Sequence, residues 1–230
     1  MKELNKFIYI FEGLDTAHGI TKKSDQINEK GKNKTTSFTI HKPPIEKLWQ
    51  DHLDGKDPGL GIIPINQENK LKWGCIDVDI YPVNHQDFVK KLQEKNIKAI
   101  VFRSKSGGAH IFMFTKTFVP AIVMRTKLKI IASSIGHARA EIYPKQDYIN
   151  VARGDTGSFL NLPYYDSKNS VRYAFNSKGI KMSLEEFFDY HNEMAMTEEE
   201  LTNFTMSSKT EENDFFKGMS PCLVSLLSDG

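Results

Sequence analysis

Cysteine is scarce: Cys75 and Cys222 are the only two in 230 residues, and they lie far apart. That excludes a disulfide framework or a zinc ribbon and points to a reducing compartment. No apolar run is long enough to cross a bilayer. Met1 to Phe7 carries no apolar signal core or cleavage site, so a cytoplasmic protein is expected. An excess of one charge is also missing, with 31 basic against 29 acidic residues and a net charge of +2. Any nucleic-acid surface must therefore come from local clustering. Internal repeats and low-complexity segments are absent. What remains, 39% hydrophobic, 26% charged and 11% aromatic, is the mix of an ordinary globular protein. The length allows one large domain or two small ones, with ample chain for a core.

The pattern along the chain alternates between the two regular periods. Residues 7–11 are apolar and β-prone, and Glu12 to Gly19 is a Gly-containing polar stretch. Residues 22–34 hold Lys22, Lys23, Lys30, Lys32 and Lys34 and read as a solvated loop, or as a phosphate-contacting arm. Thr35–Ile40 reads as a strand. Pro43-Pro44 opens a helix in which Ile45, Leu48, Trp49 and His52 recur at helical spacing. Leu60–Ile65 and Leu71–Ile80 read as neighbouring strands of a hairpin. Asn84 with Asp87 caps a helix whose stripe is Phe88, Val89 and Leu92. Ile97–Phe102 and Ala109–Thr115 are strands joined by a Ser/Gly turn. Pro120 opens a longer helix over Met124, Leu128, Ile131 and Ile135, which Gly136 ends. Arg139–Tyr143, Phe159–Tyr164 and Arg172–Phe175 read as strands. Ser183 with Glu186 forms a capping box ahead of Phe187 and Phe188. Residues 197–214 read as an acidic linker, and the run from Gly218 starts a new amphipathic helix, so a longer parent protein is expected. This order favours an α+β fold with a largely antiparallel sheet.

Four local patterns can carry chemistry. In Gly74-Cys75-Ile76-Asp77-Val78-Asp79-Ile80-Tyr81 two carboxylates alternate with apolar residues, so they share one face about 7 Å apart. Aspartate is disfavoured in a strand and like charges repel. A hard divalent cation, Mg²⁺ or Mn²⁺, resolves both problems; a polar edge strand is the structural alternative. Arg103-Ser104-Lys105-Ser106-Gly107-Gly108-Ala109-His110 puts hydroxyls, cations and close backbone around a turn, a combination that grips phosphates. It also reads as a decorated glycine hairpin. Glu141, in Glu141-Ile142-Tyr143-Pro144-Lys145-Gln146-Asp147, can supply a third carboxylate, with Asp147 competing and a surface strand end as the bland reading. Asn161 is a lone amide between apolar residues, placed to contact a ligand or to satisfy nearby backbone. Together, three acids, a histidine and a basic Gly/Ser turn suit metal-dependent chemistry on a nucleoside triphosphate, with two ions about 3.5–4 Å apart.

The order D-V-D, S-K-S-G-G-A-H, E-I-Y-P-K-Q and N-L-P-Y-Y resembles the archaeo-eukaryotic primase superfamily, and within it the primase-polymerase domains of phages and mobile elements. The likeness runs from about residue 61 to 190, and more weakly from 11. It implies an RRM-like, mainly antiparallel catalytic sheet over about residues 71–195, packed on an N-terminal α/β subdomain over about 1–70, the catalytic domain as a whole reaching about residue 210. Residues 211–230 then correspond to a linker and the start of a C-terminal helical accessory domain. The resemblance assigns Asp77, Asp79 and Glu141 to two divalent ions, Mg²⁺ or Mn²⁺. It assigns Arg103, Ser104, Lys105, Ser106, Gly107, Gly108, His110, Lys145 and Asn161 to the nucleotide. His110 joins the three acids as a catalytic residue. The implied activity is DNA-template-directed nucleotide addition to a 3′-hydroxyl with pyrophosphate release, in a host cytoplasm if a phage encodes the chain. Implied partners are a single-stranded DNA template and primer, dNTP or NTP substrates, and an accessory or helicase region of the same full-length protein. Candidate template contacts are Lys22, Lys23, Lys32, Lys34, Arg125, Lys129 and Arg153. The rivals are a rolling-circle-type nuclease, which needs a His-hydrophobic-His pair that His110 lacks, a non-catalytic RRM-like binding module, and an inactive polymerase relic.

Overall fold

Apolar residues at positions 7, 10 and 11 fall on one helical stripe, whereas a strand would divide them between two faces. In the computed structural model, which describes residues 2–27 and 33–205, they are accordingly the buried face of helix α1 (Glu3–Phe11) rather than a strand. Strands β1 (His18–Ile27) and β2 (Asn33–Ile40) form an antiparallel ladder with His18 opposite Ile40 and Lys23 opposite Thr35. The loop expected over 22–34 is therefore corrected: most of it is strand, because ladder pairing overrides polar composition. Residues 28–32, with Lys30 and Lys32, lie outside the described residues. Helix α2 (Glu46–Leu53) follows the two prolines and buries Trp49, His52 and Leu53.

Strand β3 (Gly59–Ile62) pairs with β1 and with β8 (Leu160–Asn161), giving a four-stranded sheet in the order β2-β1-β3-β8. The expected hairpin between Leu60–Ile65 and Leu71–Ile80 does not form. The chain leaves the first sheet through a turn in which Asn66 Oδ1 accepts from the Glu68 and Lys70 amides. It then begins the second sheet at β4 (Lys70–Val78).

The second sheet is built by β4, α3 (His85–Glu94), β5 (Ile100–Arg103), β6 (Ala109–Pro120), α4 (Ala121–Ser134) and β7 (Glu141–Tyr143). That is a β-α-β-β-α-β unit, with strands ordered β5-β6-β4-β7 and every pairing antiparallel. The RRM-like α+β expectation is met. Asn84 caps α3 by accepting from the Gln86 amide. Helix α5 (Leu184–Met194) carries the expected capping box of Ser183 and Glu186. The linker expected over 197–214 is corrected in its first part, where a second capping box, Thr197 with Glu200, starts helix α6 (Glu198–Asn203). The helix start expected from Gly218 lies outside the described residues.

Strand β4 is buried on both faces. Leu71, Ile76 and Val78 meet the α3 and α4 side with Leu92, Met124, Leu128 and Ile131. Trp73 and Cys75 join Phe112, Phe114 and Phe102 in a second cluster with Phe7 and Phe11 of α1, Trp49 of α2, and Leu60 and Ile62 of the first sheet. The β-sheet face opposite the helices is thus roofed by the N-terminal segments, and its upper end opens as a cleft between the two sheets.

Candidate active site

Residues directly opposite one another in an antiparallel ladder share a face. Asp77 stands opposite His110 of β6 and opposite Glu141 of β7, while His110 stands opposite Phe102 of β5. One row therefore reads Phe102, His110, Asp77, Glu141 across the sheet. The row beneath it, Ile100, Phe112, Cys75 and Tyr143, is the apolar floor. Burial of that floor fixes the register, because a one-residue slip would exchange the two faces.

The carboxylates are not equivalent. Asp77 Oδ1 lies 3.2 Å from His110 Nε2, and the two side chains are mostly buried, at 15% and 14% exposure. The angle between them makes no hydrogen bond, and Asp77 Oδ1 is buried without a donor. Asp79 sits just past the end of β4 and is exposed; Tyr81 donates its hydroxyl to Asp79 Oδ1 at 3.1 Å. Glu141 Oε2 accepts from the Tyr143 hydroxyl at 3.2 Å and pairs with Lys145 Nζ at 3.0 Å. Burial raises the pKa of Tyr143 and of Tyr81, and the carboxylates beside each push the same way, so both phenols keep their protons. Asp147 is engaged elsewhere, by Arg125, which also donates to the carbonyls of Pro144 and Lys145 at 2.8 and 2.7 Å. Arg125 is thereby a clamp on the 144–147 turn.

The β5–β6 turn closes with Ser104 N–H on Gly108 O at 2.8 Å and Gly107 N–H on Ser104 O at 3.1 Å. Gly107 has φ +95°, a conformation that favours glycine. Gly108 is needed for space: a Cβ there would stand 2.7 Å from Val78 O, 3.1 Å from Asp79 Oδ1 and 3.2 Å from Ser104 Oγ. Ser104 Oγ is buried and has no hydrogen-bond partner. A cavity of about 360 Å³ opens here between the sheets, lined by Asp77, Asp79, Ser104, Lys105, Ser106, His110 and Asn161. The structure thus gathers the D-V-D, S-K-S and Asn161 signals around one space. Arg103 does not line it; its guanidinium donates to Val171 O at 3.0 Å. Lys145 stays with Glu141, outside the lining.

Sequence reasoning missed six further contributors: Thr21, Ser37, Tyr143, Phe159, Leu160 and Arg172. Thr21 donates to Asn161 Oδ1 at 2.8 Å and lies 3.0 Å from Ser37 Oγ, which orients the amide. The Phe159 ring covers Gly19 and Gly61, where a Cβ would come within 2.1 and 2.4 Å of it. Arg172 is buried, donates to Leu162 O at 3.2 Å and lies over the Tyr165 ring. Its signal is a lone arginine inside the otherwise apolar run Val171-Arg172-Tyr173-Ala174-Phe175. Of the candidate template contacts, Lys22, Lys129 and Arg153 are exposed, Lys23 and Lys34 lie in β1 and β2, and Lys32 is outside the described residues.

A buried carboxylate oxygen without a donor beside a second aspartate is the donor set a hard cation completes, so Asp77 and Asp79 fit a divalent ion. Glu141 stands in the same row, its carboxylate drawn toward Lys145. Among the described residues no group of three or more His, Cys, Asp and Glu stands ready-made around one point.

The fold is thus an RRM-like antiparallel sheet carrying Asp77, His110 and Glu141 in one row beneath a second sheet. Residues 16–202 match the family model AEP-TOTE, described as "TOTE conflict system, Archaeo-Eukaryotic Primase domain". The chain belongs to that family, and the match reaches further toward the N-terminus than the motifs themselves, taking in β1 and β2. Solved structures with a similar course include the catalytic domain of primase RepB' in complex with initiator DNA, at 12% identity and a TM-score of 0.37, covering 84% of this chain and 96% of that one. Another is primase RepB', at 10% identity and a TM-score of 0.40, covering 84% of this chain. This chain spans 64% of that longer RepB' chain. No curated protein matches the chain.

Proposed function

We propose that the chain is a DNA-template-directed nucleotidyltransferase, a primase-polymerase that adds dNTPs or NTPs to a 3′-hydroxyl. The observation that carries this reading is the orphaned Asp77 oxygen, set in one row with His110 and Glu141 at the mouth of a cavity rich in hydroxyls and cations. Ser104, Ser106, Lys105 and the turn amides hold the triphosphate. His110 contacts a phosphate from β6. Asn161, oriented by Thr21, meets the nucleoside. Asp77 and Asp79, with Glu141 released from Lys145, hold Mg²⁺ or Mn²⁺; when bound, such ions activate the attacking hydroxyl and neutralise the departing pyrophosphate. The 3′-oxygen forms the new bond to the α-phosphorus as its proton passes to water and the bond to pyrophosphate breaks, and the cleft keeps the two in line.

The rivals fit less well. A rolling-circle-type nuclease needs a His-hydrophobic-His metal pair, and the residues two positions either side of His110 are Gly108 and Phe112. A non-catalytic RRM-like binder needs exposed aromatics on its central strands, whereas Trp73, Phe112 and Phe114 are buried under α1.

The test is primer extension on single-stranded DNA with dNTPs or NTPs and Mg²⁺ or Mn²⁺, with and without an annealed primer. Wild type should extend. Asp77→Asn should lose roughly a thousandfold, the equivalent of several kcal/mol of charge stabilisation. Undiminished extension by Asp77→Asn would overturn the assignment.

A further inference from the structure

Helix α4 turns one face into the core and leaves an apolar stripe on the other. Met124, Leu128 and Ile131 are buried, whereas Ile122 and Ile130 are 56% and 43% exposed. Thr126 stands between them, so the three residues are four apart and form one ridge along the helix. Lys129 and Ser133 flank the ridge, and no acid interrupts it. The helix packs on the sheet face opposite α1 and the first sheet, away from the cleft. Two exposed isoleucines on one ridge are a surface that a second apolar helix can cover.

The chain itself leads to that place. Lys127 lies one turn from Ile130 and donates to the carbonyls of Thr202 and Phe204 at 2.9 and 2.8 Å. It fastens the end of α6 to the flank of α4, and residues 206–230 continue from there. Their sequence carries the complement. Ser220 suits an N-cap and Pro221 the first helical position. At helical spacing Cys222, Leu223, Leu226 and Leu227 then share one face, with Leu223 and Leu227 four apart. Ridges of that spacing on two helices interlock at about −50°. The charges also match in sign: Lys129 flanks the α4 ridge, and Asp229 is the charged residue of the run from Gly218. As a flexible tether, residues 206–219 span roughly 20 Å, the length of α4 itself. Such a tether holds the segment at an effective concentration on the order of millimolar, so a small contact suffices.

We propose that residues 220–228 dock as an amphipathic helix on the outer ridge of α4, with Cys222, Leu223, Leu226 and Leu227 against Ile122, Thr126 and Ile130. The contact places the C-terminal segment on the sheet face remote from the cleft. It stands apart from the polymerase reading, and its test reads thiols rather than synthesis.

The experiment uses the full chain and its two native cysteines. Cys75 is 0% exposed and reports on the integrity of the fold, while Cys222 reports on docking. With a chromogenic thiol reagent, Cys222 of the wild type should react about tenfold more slowly than in Ile122→Asp/Ile130→Asp, because the docked state must open first. Cys75 should stay unreactive in both. In a separate variant, Thr126→Cys, oxidation with copper phenanthroline should join the new thiol to Cys222 within one molecule, which requires Cα atoms within about 7 Å. Lys47→Cys, exposed on the distant α2, should not form that bond. Equal Cys222 reactivity in the wild type and a double aspartate variant that keeps Cys75 protected overturns the proposal. So does a Thr126→Cys variant that forms no disulfide, or forms it no faster than Lys47→Cys. A disulfide between two molecules, with a dimer on size exclusion, assigns the ridge to a second copy and overturns docking within the chain. If the double aspartate variant exposes Cys75, the two cysteine variants decide alone.

Discussion

Asp77 is placed against the interest of the fold. Its Oδ1 is buried without a donor and a second carboxylate follows two residues later. An unsatisfied buried charge costs stability, and proteins keep such groups where chemistry requires them. Asp77→Asn should therefore melt at the same temperature as wild type or about 2–4 °C higher in EDTA, as expected for relief of roughly 1 kcal/mol in a chain of this size. A clear fall in melting temperature would show that the carboxylate supports the fold. Gly108 makes the complementary case. Its absent Cβ leaves room for Val78 O, which is backbone and cannot rotate away. Gly108→Ala should cost about 1–3 kcal/mol by overpacking, read by urea denaturation, and should reduce extension because Ser104 and Asp79 move with the turn.

At the scale of elements, the N-terminal helix is held over the second sheet by a buried cation. Lys72 of β4 is 4% exposed, pairs with Glu12 Oε1 at 2.5 Å and lies over the Tyr9 ring. Trp73 Nε1 donates to the Glu12 carbonyl one residue along. Removing Glu12 strands the lysine, whereas removing the lysine leaves a half-exposed carboxylate that water can solvate. Glu12→Ala should thus destabilise by about 1–2 kcal/mol, less than a fully buried pair because Glu12 is 38% exposed. Lys72→Met should be close to neutral. Equal losses in the two variants would contradict this asymmetry.

At the scale of the whole molecule, burial holds His52 and His191 neutral. His52 ties three segments: Nδ1 accepts from the Leu60 amide at 3.1 Å, and Nε2 donates to Pro163 O at 2.8 Å. Protonating Nδ1 would set two N–H groups against each other. Burial lowers the pKa of His52 to about 3 and that of His191 to about 4. In the unfolded chain both sit near 6.5, so below that pH the unfolded state binds protons the folded state refuses. Stability is complete above about pH 6.5 and falls as the pH drops toward 4, by about 1.4 kcal/mol per pH unit for each histidine. Urea titrations between pH 7 and pH 4.5 would show this slope, and His191→Gln should reduce it by about half, leaving the His52 contribution. A flat profile in wild type would mean that these rings are not held neutral.

Much of this was written in local chemistry. The capping box at Ser183, the α4 stripe, the glycine turn at 107–108 and the pairing of acids at 77 and 79 depend on neighbours a few residues away, so the sequence alone determined them. The continuous apolar, β-prone run at residues 7–11 reads as a strand, and the packing of Phe7, Ile10 and Phe11 on one helical stripe decides for α1. The β1–β2 ladder was misread because polar strands pair through backbone, which side-chain composition does not record. What only the tertiary structure decided is which distant segments meet. Register across β6, β4 and β7 set His110, Asp77 and Glu141 in one row. The chain's passage from one sheet to the other between β3 and β4 opened the cleft. Arg172 and the Thr21–Ser37–Asn161 cluster entered it from opposite ends of the sequence. These are long-range pairings selected by burying the floor of one sheet beneath another, and no local pattern specifies them.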